Sequence, residues 1–328
     1  MNKEKKTEML NIEKADFTKS VDIWYADGSV VLVADKTAFR VHTSILACSC
    51  EVFRDMASIP QPTGEDSSET FEGCPVLRLQ DSTGDLHHFL KAIYDFSYFR
   101  PGVKKPFPVV AAILRLSTKY IAPVLRAQAI EMFTSAYPAT YAAWKARGTA
   151  RLVAATEGEF SALVVLAEQT DARALLPAVF YAAAPRPLAE TLAALHALPL
   201  GEAARQDAAA RFLLGRERLQ REMTRDVLAF LRNGFARPGC QNGNDTNALV
   251  NYCRTALDAM AHDTPYYEQC INDPGAVGAA IPVCPICTTT IKDHIEGAVE
   301  KVWQRLPEIF GLPAWEVLTA NDDGGQTM

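Results

Sequence analysis

Residues Asp22–Met56 read D-I-W-Y-A-D-G-S-V-V-L-V-A-D-K-T-A-F-R-V-H-T-S-I-L-A-C-S-C-E-V-F-R-D-M. The apolar run at Ile23 and Trp24 predicts a strand. Asp27-Gly28 follows as a tight turn, because glycine tolerates the positive φ that such a turn requires. Val30, Val31, Leu32 and Val33 are mostly β-branched and predict a buried returning strand, with Ala38 to Val41 as its paired extension. Beyond His42 the apolar residues Ile45, Leu46, Val52, Phe53 and Met56 fall at helical spacings. Ser49 stands at the N-cap position of the second of two short helices.

Reading outward, residues 1–19 are polar and are expected to form a flexible tail. Residues 60–73 make an acidic, Pro- and Gly-containing loop, and Cys74–Gln80 a further strand. Ser82 and Asp85 have capping-box spacing before Leu86, Phe89, Leu90, Ile93 and Tyr94, which share a helix face. Phe107–Tyr120 and Val124–Phe133 are further helices, with Pro123 tolerated in the first turn of the second. From Tyr137 the helices are Ala-rich. Thr156 and Glu159 have the spacing of a second capping box. Gln206–Arg232 is amphipathic, with Phe212, Leu213, Leu219, Met223, Val227, Phe230 and Leu231 on one face and Asn233-Gly234 as C-cap. Its arginines alternate with acids, which reads as a solvated face. Gly, Pro, Asn and Cys are frequent over 238–294. The apolar segment Trp303–Leu318 is expected to dock on the helices, and 319–328 to be disordered.

The ordered set Asp22, Asp27-Gly28, Phe39-Arg40-Val41-His42, Ile45-Leu46, Ser49, Phe53 and Met56 resembles the BTB/POZ domain, a protein–protein interaction module. The likeness continues through a third strand at Val76–Leu79 and three helices to Phe133, including Leu90-Lys-Ala-Ile-Tyr94. The remainder is similar to the C-terminal region of BTB proteins from mushroom-forming fungi. The resemblance implies an α+β protein: a small mixed sheet flanked by helices over 20–136, a mainly α-helical domain over 137–237, and a Cys-containing segment over 238–318. It implies a homodimer face on the first strand and first helices. Asp22 matches a position that sits in a charged pocket at the dimer centre in such domains. The basic residue that often follows the motif histidine is here Thr43. A cullin-binding face would use the second short helix and later helices, with Phe53, Met56 and the region of Tyr94. Packing and hydrogen bonding are the expected roles of His42, and core packing that of Phe53.

The 328 residues suffice for two domains. A net charge of −6 argues against a general nucleic-acid binder. The N-terminus lacks an apolar signal segment and no run of eighteen apolar residues occurs, so an intracellular protein, cytoplasmic or nuclear, is expected. There the eight cysteines stay reduced. Cys240, Cys253, Cys284 and Cys287 are candidate ligands of a structural zinc, with His262, Cys270 or His294 as substitutes. Buried thiols are the competing reading. A redox role for Cys284-Pro-Ile-Cys287 would need a cysteine at a helix N-terminus. His87 and His88 are adjacent on a helix, so they cannot chelate one ion together. No nucleotide-binding, hydrolase or metalloprotease motif occurs. The expected function is therefore non-enzymatic: a self-associating scaffold or adaptor, in one version bringing substrates to a cullin-type ubiquitin ligase. The alternatives are a chromatin-associated regulator and a thiol redox protein.

Overall fold

Val30–Ala34 is apolar at every position, and all five residues are buried. A strand reads this way when both faces of its sheet are covered. The computed structural model describes residues 16–58, 69–227 and 284–322, without the side chains of Cys287, Asn321 and Asp322. In it this segment (β2) is the centre of a five-stranded mixed sheet with β1 (Thr18–Trp24), β3 (Thr37–Val41), β4 (Thr70–Phe71) and β5 (Cys74–Leu79), in the order β1-β3-β2-β5-β4. β2 pairs antiparallel with β3 and parallel with β5, while β1 lies parallel to β3.

The tight hairpin falls at Asp35-Lys36, between the pair Ala34 and Thr37, with Asp35 at φ 48°. The chain also turns just before Gly28, whose N–H donates to the Tyr25 carbonyl at 3.0 Å, but the expected hairpin there does not form, because β1 pairs with β3 and not with β2. Gly28 has no positive φ; it is required because a Cβ there would lie 2.8 Å from Arg40 Cγ and 3.0 Å from the Tyr25 and Val41 carbonyl oxygens. β3 is therefore not an extension of β2 but its returning partner, and it separates β2 from β1.

One sheet face carries Ile23, Leu32, Phe39 and Val41 into a core completed by helices α1 (Thr43–Ser49), α2 (Glu51–Ser58), α3 (Thr83–Tyr94) and α4 (Phe107–Lys119). The other face, with Val31, Val33, Ala38 and Cys74, is covered by Phe17, Trp24 and Val76. Phe17 and Trp24 both meet Phe71 edge-on, and Asp16 pairs with Arg78 at 2.7 Å. Residues 16–19, expected in the tail, are thus part of the fold.

Ser82 caps α3, accepting from the Asp85 N–H at 3.1 Å, but Asp85 turns its carboxylate to Arg115 instead of closing the box. Ser49 does not cap α2; it ends α1. The first N–H groups of α2, on Glu51 and Val52, donate instead to the carbonyls of Ile121 and Tyr120, in the turn between α4 and α5 (Pro123–Thr134). Ile121 sits at φ 52°, unusual for a β-branched residue.

Contacts divide the chain into two units: residues up to Ala136 with Arg151–Thr156, and Tyr137–Ala150 with the chain from Glu157. The returning piece pairs with Lys105, whose N–H donates to Leu152 and whose carbonyl accepts from Ala154, both at 2.8 Å. The second unit contains α6 (Tyr141–Ala150), α7 (Glu159–Thr170), α8 (Leu176–Ala183), α9 (Leu188–His196) and α10 (Glu202–Glu222). After a π-turn at Met223–Val227, the described chain resumes with α11 (Pro285–Gln304), α12 (Leu306–Ile309) and α13 (Trp315–Asp322). Thr156 does not cap α7, which follows Gly158 at φ 67°. Leu213 is exposed rather than on the buried face of α10. Phe230, Leu231 and Asn233-Gly234 lie outside the described residues. Gly215 is required by close approach, since a Cβ would meet the Phe310 ring at 2.0 Å. Arg211, Arg216 and Arg218 donate to the carbonyls of Gly311, Ala184 and Ile309, at or near helix C-termini. They are connectors, not only a solvated face. Trp303 is buried against Tyr141, Trp144 and Tyr181, and its indole N–H donates to Ala139. α13 runs past Thr319, where the tail was expected to begin.

Candidate functional site

Asp22 belongs to β1, an edge strand. Its register with β3 holds at Thr18–Thr37, Lys19–Ala38 and Trp24–Arg40, with a bulge between Lys19 and Trp24. Inside the bulge Val21 is fully exposed and Ile23 is buried. Asp22 then faces α3. Its carboxylate lies 3.0 Å from His87 Nε2 and 3.0 Å from Lys91 Nζ. Ser20 Oγ donates to its other oxygen at 3.2 Å. The His87 hydrogen bond, reinforced by Lys91, holds the Asp22 carboxyl well below the ordinary carboxylate range. Asp22 in turn raises the Lys91 ammonium. A shallow hollow of about 380 Å³ opens beside them, lined among others by Thr18, Ser20, Phe39 and His87.

Sequence reading singled out Asp22 but missed its partners. The lost signal is the i, i+4 spacing of His87 and Lys91, which puts both side chains on one face of α3. The next residue, His88, turns elsewhere: its Nδ1 is 2.7 Å from the Tyr98 hydroxyl, and burial lowers its pKa.

His42 closes the other end of the sheet. The Tyr94 hydroxyl accepts from the His42 backbone N–H at 2.7 Å and lies 3.3 Å from its Nδ1. Asp27 approaches Nε2 at 3.2 Å, and Tyr25 stacks on Tyr94. Burial raises the Tyr94 pKa. This is a packed, hydrogen-bonded corner. Thr43, in the place of the absent basic residue, donates its N–H to Ser29 Oγ at 3.0 Å and so secures the start of α1.

Phe53 is buried and stacks on Tyr120, while Met56 is half-buried against the same core. Beside them a groove of about 330 Å³ is bordered by Cys48, Glu51, Arg54, Ile93 and Val124. Val124 and Ile121 are exposed. Cys50 is in its wall, where burial pushes the thiol up to about 12 and leaves it inert at neutral pH.

Of the cysteine candidates, Cys240, Cys253, Cys270 and His262 lie outside the described residues, as does the side chain of Cys287. Cys284 is buried and forms the N-cap of α11, with Pro285 at the first helical position. The C-x-x-C sequence is thus the opening turn of a twenty-residue helix. His294 lies ten residues further along the helix, a rise of about 15 Å. It therefore cannot join Cys284 on one ion; its Nε2 is 3.2 Å from the Asp226 carbonyl. Among the described residues no group of three or more His, Cys, Asp or Glu side chains is placed to hold a metal. Nor is any helix among them long and apolar enough to cross a membrane.

Compared with family models, with curated proteins and with solved structures, the chain gives no match.

Proposed function

We propose that the N-terminal unit is a protein-docking module of the BTB/POZ type and that the chain self-associates through it, acting as a scaffold or adaptor. The observation that carries this reading is the arrangement of the residues behind the resemblance. Phe39, Leu46 and Phe53 meet in one core, His42 secures the first helix through Tyr94, and β5 with three helices follows in the implied order. The elements assigned to a homodimer face carry exposed apolar side chains, Val21 on β1 and Ile45 on α1. Light scattering on the eluting full-length chain tests self-association; a single-chain mass at micromolar concentration would overturn it.

In the adaptor version the groove at Glu51, Ile93 and Val124, with exposed Ile121 beside it, receives a cullin. Binding to a purified cullin N-terminal domain tests this version. It fails if no binding is detected at micromolar concentration, or if V124D binds as well as the wild type.

The redox alternative draws support from one feature, the place of Cys284 at the N-terminus of α11. Only 6% of the residue is exposed. Thiol titration of native protein, with reversible loss of two thiols on mild oxidation, would favour it over the zinc-ligand and buried-thiol readings of these cysteines.

A further inference from the structure

We propose that the loop joining α3 to α4, residues 95–106, is a docking surface for an acidic segment of a partner protein, with an apolar side chain of that segment seated on Phe96. The surface shares no residue with the β1 edge or with the groove beside α2, and it does not depend on self-association.

From Phe96 to Ile130 the sequence has six basic residues and no acid, in a chain whose net charge is −6. Three of the six are engaged. Arg115 pairs with Asp85 at 2.8 Å and Lys119 with Asp81 at 2.6 Å, and Arg126 has a partner as well. The other three, Arg100, Lys104 and Lys105, all lie in this loop and have no acidic partner among the described residues. The acids that flank the stretch do not neutralise them. Asp95 accepts from the Ser97 N–H at 2.8 Å and from its hydroxyl at 2.6 Å. Glu131 borders the same small hollow as Arg100 without pairing with it.

Beside these cations Phe96 is 86% exposed and Val103 45%. Aromatic and arginine side chains are enriched where proteins meet, and few other positions carry so much of the binding energy. The loop also holds its shape. Phe99 is buried at its base. The Tyr98 hydroxyl lies 2.7 Å from His88 Nδ1, and Lys105 Nζ stands 5.5 Å from the Tyr98 ring. The Lys105 backbone is bonded on both sides, to Leu152 and to Ala154. A surface already in shape loses little entropy on binding.

Basic residues at three positions of one loop suit carboxylates repeated along a peptide. Solvent screens each pair, so the charges select the partner and Phe96 supplies the anchor. One open ring and one valine give a bilayer little apolar area to take up.

The probe is a fluorescein-labelled peptide of alternating glutamate and leucine pairs, titrated with the full-length chain at low salt and followed by fluorescence anisotropy. Binding is expected at micromolar protein. Lys104→Glu should weaken it roughly three- to tenfold, since an attraction becomes a repulsion. Phe96→Ser should weaken it by a similar factor. Lys36→Glu makes the same charge change at the tip of the β2–β3 hairpin, where Lys36 is also without an acidic partner, and should leave binding within about twofold. Both loop side chains are exposed, so their variants should keep the wild-type mass in light scattering. That readout separates a failure of this site from a failure of self-association. No binding by the wild type at hundreds of micromolar, an equal loss in Lys36→Glu, or undiminished binding in Phe96→Ser would overturn the proposal. So would pelleting of the chain with phosphatidylserine vesicles that Lys104→Glu abolishes, which would give the loop to a lipid surface.

Discussion

β2 and β1 flank the same strand, β3, and are built in opposite ways. β2 pairs with β3 residue for residue over five positions, and each of its side chains is buried. β1 breaks its ladder after two pairs and exposes Val21 completely, while Ile23 enters the core and Asp22 reaches α3. The difference shows where rigidity and availability lie. The middle of the sheet is fixed by burial on both faces. The edge is held by buried Ser20 and Ile23 and by solvent-screened ionic contacts of Lys19 and Asp22, and it leaves Val21 open to solvent.

Truncation separates the two strands most sharply. Leu32→Ala should cost about 2–5 kcal/mol, because it empties a site buried on the helical side of β2. Val21→Ala, the equivalent change on β1, should stay within about 0.5 kcal/mol. Urea unfolding followed by circular dichroism measures both; equal losses would erase the distinction. Next comes Gly28→Ala, between the two strands in sequence. Its Cβ would press on two backbone carbonyls that cannot retreat as a flexible side chain could, so a loss of about 1–3 kcal/mol is expected in the same assay. Tyr94→Phe removes the acceptor of the His42 N–H and should cost about 1 kcal/mol, read as a lowered thermal midpoint. The smallest effect belongs to the edge: Asp22→Asn should lower stability by at most about 1 kcal/mol at neutral pH. Its sign with pH is fixed. Because the folded carboxyl is held low, the wild-type advantage exists above the ordinary carboxylate range and should shrink as acid protonates Asp22. An advantage that grew on acidification would contradict the ion pair.

Local signals made part of this legible. The run at Val30–Val33, the cap at Ser82 and the proline opening α5 each act within a few residues, and the structure places strand and helices there. What escaped depends on contacts between distant segments. Asp27-Gly28 looked like a hairpin, but Gly28 answers to the approach of Arg40 and Val41, while Asp35 took the positive φ. Ser49 looked like a cap, but backbone carbonyls some seventy residues away supply that service. Asp22 was legible as a notable residue, and its partners were not, because His87 lies sixty-five positions further on. The arginines of α10 were read as surface charge; their bonds to carbonyls near helix ends are visible only once those ends are in place. At Cys284 the C-x-x-C spacing drew attention to metal chemistry. Pro285, a residue suited to the first turn of a helix, was the overlooked sign that α11 begins there.

Self-association through the exposed edge of the first unit is tested most directly by light scattering across a size-exclusion peak at micromolar loading, for the wild type and for Val21→Asp. A wild-type mass twice that of the 35.9 kDa chain and a single-chain mass for the variant are expected. A wild type that elutes at 35.9 kDa, or a variant that stays at twice that mass, would contradict it.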